Sequence, residues 1–167
     1  MVVQGPRPRP RYRGTYKNID EEGGYAVWCP TDWTRMEMTQ GHHGFIFLMD
    51  EKQPATFLST EKVVLAYPVT MDDVDVLREG YKAGLESLPD LVILEEDEEI
   101  TETVKMFEAK FTFTEDGATR KRWLRLIFWG EAELITMAQG ATPDEYDYWL
   151  PMFFNSMMTI DLGMGAD

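Results

Sequence analysis

Three places in the chain carry residue types able to do chemistry: the His42-His43 pair, the single Cys29, and the acidic run Glu95-Glu96-Asp97-Glu98-Glu99. Adjacent histidines in a loop can share a metal, but a zinc site takes three or four protein ligands. Asp50 and Glu51 are the carboxylates a hairpin could bring near them, and no recognised ligand spacing links the four. His42 and His43 therefore stand as weak metal candidates, and no cofactor is expected. Cys29 would be nucleophilic only with a His, Lys or helix N-terminus stabilising its thiolate. It shares a strand face with Tyr25 and Val27 instead, so a buried, inert thiol is expected. The acidic run alternates sides of a strand with no apolar interleaving. Acid–base catalysis needs two carboxylates in opposed environments, and this run offers one solvated environment. The calcium-loop pattern, a Gly-rich phosphate loop, a Gly-x-Ser-x-Gly elbow and a basic–aromatic stripe are all missing from the sequence. These features point away from an enzyme. The competing expectation is a hydrolase in which His42 and His43 converge with a carboxylate.

The elements that must position these residues belong to a chain of 167 residues, a length that fits one domain with a real core. Hydrophobic content of 44% with five Trp argues for a globular fold. No apolar run approaches the roughly 20 residues of a bilayer-crossing helix. The lone cysteine suits a reducing compartment, and no apolar h-region follows the early arginines, so a cytoplasmic location is expected. Net charge is −14, unevenly placed. Residues 1–17 hold Arg7, Arg9, Arg11, Arg13 and Lys17 and no acid, leaving the remainder at net −19. Such a body repels phosphate backbones and anionic lipid, so neither nucleic acid nor membrane is an expected partner.

Alternating Pro and Arg make residues 1–17 an extended, flexible arm, either for an acidic partner or lying on its own domain. The domain is expected over 18–162 and a frayed tail over 163–167. Residues 23–33 open the folded part and its sheet: a Gly-Gly turn, an alternating strand from Tyr25, Pro30 to stop it, and Trp33 tucked beneath. A hairpin through 41–44 leads to 45–49, apolar on both faces as a central strand requires. Residues 56–67 are β-prone. Residues 70–88 form a helix, with Thr70 and Asp73 as a capping box and Val74, Leu77, Tyr81, Leu85 and Leu88 as its apolar stripe. Alternation in 107–113 and 123–129, joined through Asp116-Gly117, gives an antiparallel meander continuing into 132–138. Thr142, Pro143 and Glu145 start a closing helix, in which Pro151 should kink or split the path.

Two surfaces compete as interfaces. Trp123, Arg125, Ile127 and Trp129 share a strand face and combine the residue types that dominate binding hot spots. The alternative places that face beneath a helix, with the arginine reaching an acid. Phe154 and Met158 lie off the main stripe of the closing helix, implying deep burial or a contact with a second copy.

Strands, a helix, a meander and a final aromatic helix make an α+β sandwich, a predominantly antiparallel sheet packed with two main helices. Gly24-Tyr25-Ala26-Val27, then Pro30 and Trp33, resembles the opening motif of the PsbP-like superfamily. That group includes lumenal PsbP proteins, Mog-type Ran-binding proteins, DcrB-type lipoproteins and Eag-type chaperones. The resemblance spans 16–162 and implies docking or chaperone work through a protein partner, and usually no catalysis. An Eag-type role implies an apolar sheet face offered to a partner's helix. The functional expectation is thus a protein-binding domain, possible as a homodimer, with a groove for a small apolar ligand or helix as the alternative.

Overall fold

The computed structural model describes residues 5–11 and 13–163. Nine strands, two helices and one 3-10 turn follow in the order β1 (Thr15–Asp20), β2 (Tyr25–Pro30), β3 (Thr34–Glu37), β4 (His43–Leu48), β5 (Phe57–Val64), a 3-10 turn (Met71–Asp73), α1 (Val74–Glu86), β6 (Val92–Ile100), β7 (Lys105–Glu115), β8 (Ala118–Trp129), β9 (Ala132–Gly140) and α2 (Pro143–Met158). The fold is α+β, as the sequence implies.

β3 to β9 form one antiparallel sheet in the order β3-β4-β5-β9-β8-β7-β6. The chain lays down β3, β4 and β5, crosses through α1 to the far edge, and returns by a four-strand meander that ends against β5. Asp116 and Gly117 both take positive φ (51° and 73°), the geometry a two-residue hairpin needs to match strand twist. Thr70 begins the helical stretch, its backbone N–H donating to the Asp73 carboxylate at 2.7 Å. Thr142 caps α2 by accepting from the Glu145 N–H at 3.2 Å, with Pro143 at the first helical position. Pro151 does not split α2, which runs unbroken through it with the ring side exposed.

The sequence expectation is corrected at the opening. Residues 23–33 neither begin the folded part nor belong to the main sheet. β1 precedes them and pairs only with β2, giving a separate two-stranded ribbon. Its TYKNID sequence leaves Tyr16 and Ile19 more than half exposed, so no apolar alternation announces it. The ribbon is fixed to the chain's end by paired backbone bonds between Ala26 and Asp161, 2.8 and 2.9 Å.

Two cores result. On one face of the sheet, α2 and the ribbon cover Phe45, Phe47, Leu58, Trp123, Ile127, Leu134 and Ala138 with Tyr25, Val27, Cys29, Trp33, Tyr146, Phe153 and Met157. Trp33 meets Trp149 and Phe153 edge-on, at 6.3 and 6.2 Å between ring centroids. On the other face, Tyr81 and Leu85 of α1 pack on Phe107, Ala109, Phe111, Phe113 and Phe128. Each buried aromatic side chain contributes on the order of 1.5–3 kcal/mol.

Candidate docking surface

A helix with its side chains is about 10 Å across, and neighbouring strands lie about 4.8 Å apart. One helix therefore covers about two strands of a sheet. The face carrying α2 also carries the ribbon, whereas the opposite face has α1 with Leu65, Val69, Leu88 and Leu91 of the segments beside it. The register shows how the rows of this face run out from the α1-side core toward β3. Across β8, β9, β5, β4 and β3, one row pairs Leu124 with Met137, Met137 with Ser59, Ser59 with Ile46 and Ile46 with Met36. The next pairs Leu126 with Ile135, Ile135 with Glu61, and Glu61 with Gly44.

Burial separates the two faces residue by residue. Along β9, Leu134, Thr136 and Ala138 are fully buried beneath the ribbon and α2, while Glu133, Ile135 and Met137 between them stay partly open. Beneath α1, by contrast, the same face is closed at Phe107, Ala109 and Phe111. Leu124 and Leu126 are packed against the α1-side core. Beyond them Ile135, Met137 and Ile46 stay partly open in mid-sheet, with Ser59 and Glu61 between β9 and β4 and the exposed Met36 at the rim. At one end Gln139 donates to the Ala55 carbonyl at 2.9 Å and accepts from Arg122 at 2.6 and 2.9 Å, closing that end with the 50–56 loop. At the other end stand Glu61 and Glu133, diagonal neighbours across β5 and β9. Burial, and then the Glu61 charge, push the Glu133 carboxyl above the usual carboxylate range.

α1 borders this surface. Arg78 pairs with Glu98 and Tyr81 donates to Glu96, so one flank of the helix leans toward β6. The helical period puts Gly80 and Gly84 on the other flank, toward the uncovered strands. A Cβ built on either glycine meets nothing within 4 Å.

His42 and His43 do not converge on a common carboxylate. His42 Nδ1 lies 2.5 Å from Glu61, and His43 Nδ1 lies 3.4 Å from Glu22 in the β1–β2 turn. Asp50 and Glu51 sit at the opposite end of the β3–β4 hairpin, where Glu51 accepts from Thr34. The hairpin that could have brought them to the histidines instead places them a strand length away. A cleft of about 570 Å³ is lined there by Asp20, Glu21, Glu22, Glu37, His42 and His43, among others. No group of three metal-ligating side chains is assembled among the described residues.

The Trp123–Trp129 face is spent inside the chain. Trp123 is 2% exposed beneath α2. Arg125 donates to the Met157 carbonyl at 2.9 Å, and its Nε lies 2.7 Å from Glu108. Trp129 is partly covered, with the Lys62 ammonium 5.6 Å from its ring centroid. Of the two competing roles for this face, burial beneath a helix is the one found. Phe154 and Met158, expected to be deeply buried or in contact with a second copy, are over half exposed on α2. Phe154 nonetheless stacks on Trp123, 6.3 Å between centroids at 28°.

Cys29 is buried, and burial raises its thiol to about 12 despite an opposing bond with Ser156. The acidic run forms the exposed edge strand β6. Part of the basic arm lies on its own domain: Arg7 pairs with Glu145 and sits 3.5 Å above the Tyr148 ring, whose hydroxyl donates to the Pro8 carbonyl.

Cyanobacterial PsbP (CyanoP) from Synechocystis sp. PCC 6803 superposes with a TM-score of 0.62 at 12% identity, covering 93% of this chain and 98% of its own. The fold is PsbP-like. LpqN of Mycobacterium tuberculosis, a protein involved in cell envelope biogenesis, gives 0.59 at 12% identity and 82% of each chain. PA94 of Pseudomonas aeruginosa, described as a putative regulator of unknown function, gives 0.55 at 16% identity over 87% of this chain and 94% of its own. No family model and no curated protein matches by sequence. The PsbP-like assembly expected from Gly24, Tyr25, Pro30 and Trp33 is thus present, with those residues in the ribbon and its junction. Among the described residues no helix is long and apolar enough to cross a membrane.

Proposed function

We propose that this chain is a non-enzymatic docking domain that holds an amphipathic helix of a protein partner on the uncovered half of its sheet. The observation that carries this reading is the set of partly open apolar side chains in mid-sheet, Ile135, Met137 and Ile46, beyond the Leu124 and Leu126 that pack against the α1-side core. The strands beneath it are internal, so their backbone groups are paired on both sides. The surface offers side chains only, and a segment lying on it must satisfy its own backbone hydrogen bonds. A helix does this and an extended peptide does not.

The flank of α1 suits the same occupant. Glycine inside a helix costs about 0.5–1 kcal/mol relative to alanine. No contact within the chain requires Gly80 or Gly84, yet both leave the wall beside the surface low. PsbP-like neighbours lend the docking role their general character and no specific partner.

The test is binding of a helical Leu/Gln peptide, followed by fluorescence anisotropy, to wild-type protein and to the Ile135→Asp and Met137→Asp variants. Binding by wild type with at least a tenfold loss in both folded variants supports the role. Equal binding by all three removes the proposed surface.

A further inference from the structure

Resting on the docking role just described, one feature of the surface specifies the occupant's chemistry. On this face of β9 the apolar Met137 and Ile135 lie between two polar ends, Gln139 and Glu133, six residues or about 20 Å apart. Such a length seats a helix of about 13 residues. The two ends differ. At the Gln139 end, Arg122 is already satisfied by the Gln139 amide oxygen and lies over the Phe113 ring at 4.5 Å. At the other end, Glu61 and Glu133 are diagonal neighbours, a spacing of about 7–8 Å, on one face of the sheet.

This pair of like charges is incompletely answered from within. His42 meets one oxygen of Glu61. Lys105 lies on the same face one strand beyond, paired across β7 and β8 with Phe128, but its ammonium is turned to the Glu102 carbonyl at 2.7 Å. Lys62 projects to the opposite face and donates to the Gly23 carbonyl. Glu133 forms no ion pair among the described residues. Two partly buried carboxylates flanking an apolar floor repel each other, and a cation seated between them is attracted by both.

We infer that Glu61 and Glu133 select a lysine or arginine in the docked helix, which sits between the two carboxylates while the helix's apolar face lies on Ile135 and Met137. Charge at the scale of the whole chain points the same way, since the body beyond residue 17 carries net −19. A basic amphipathic helix is drawn in by the long-range field and fixed in polarity by the local pair. An N-terminal approach of the helix to the carboxylates would add the favourable sense of its dipole.

Three fluorescent 18-residue peptides test this. They share a Leu face and a Gln/Ser face and differ at one position on the boundary, which holds Lys, Gln or Glu. Anisotropy titrations use wild-type protein and the Glu61→Gln/Glu133→Gln double variant. The expected result is about tenfold tighter binding of the Lys peptide than the Gln peptide to wild type, with the Glu peptide weakest. The preference should vanish in the double variant and shrink in high salt. Equal affinity of wild type for the Lys and Gln peptides would overturn the charge-selection role and leave the docking role standing. Binding of none of the three would overturn both.

Discussion

Arg125 on β8 ties the end of α2 to the sheet, donating to the Met157 carbonyl at 2.9 Å while its Nε stands 2.7 Å from the Glu108 carboxylate on β7. Both side chains are largely shielded from water. Removing the guanidinium leaves a buried carboxylate unpaired and a helix-terminal carbonyl unanswered. Arg125→Met is expected to lower stability by about 3 kcal/mol in urea unfolding. Adding Glu108→Gln should recover part of that loss, because no uncompensated charge then remains.

Glu133 supplies a pH-dependent prediction. Its carboxyl titrates above the ordinary range in the folded chain, so the folded state holds the proton more tightly than the unfolded one. Stability therefore falls as pH rises from the ordinary glutamate range through the folded value. Glu133→Gln removes this fall. At neutral pH the variant should be more stable than wild type, and the gain should disappear below the ordinary glutamate range. Thermal melts across pH 4–8 would read this directly.

Gly80 and Gly84 separate stability from docking. Since a Cβ at either position meets nothing, Ala at each should stabilise α1 by about 0.5–1 kcal/mol. The added methyls raise the wall beside the uncovered strands, so the same variants should bind the Lys peptide more weakly. Gains in chemical stability with unchanged affinity would place the docked helix away from α1.

Cys29 should behave as a core side chain. With its thiol raised to about 12, roughly one molecule in ten thousand is thiolate at pH 8. A thiol-specific chromogenic reagent should leave it unlabelled in the native state and label it fully in denaturant. Rapid native labelling would mean that the ribbon opens readily from α2.

Much of the fold is legible in the sequence because its signals are local. The Asp116-Gly117 turn, the Thr142-Pro143 cap and the Tyr25–Val27–Cys29 alternation each specify their own geometry, and all three stand in the structure. β1 was hidden because its partner is β2 alone and much of its surface faces water, so neither core imposes a pattern on it. The docking surface was hidden for a different reason. Ile135 and Met137 read as apolar in the sequence whether a helix covers them or not. Which strands α1 covers depends on the crossover from β5 to β6, a relation between residues far apart in the chain. Glu61 and Glu133 are likewise 72 positions apart, and only the β5–β9 register makes them neighbours. Trp123 and Arg125 illustrate the converse, since residue types favoured at interfaces serve equally well under a helix.

The most direct test of the docking surface is a methyl-resolved NMR titration of the full chain with the Lys peptide. The account predicts shifts at Met36, Ile46, Ile135 and Met137, with Met152 and Met157 on the buried side of α2 unmoved. Shifts confined to Met158 and the exposed side of α2, with Ile135 and Met137 unchanged, would contradict it.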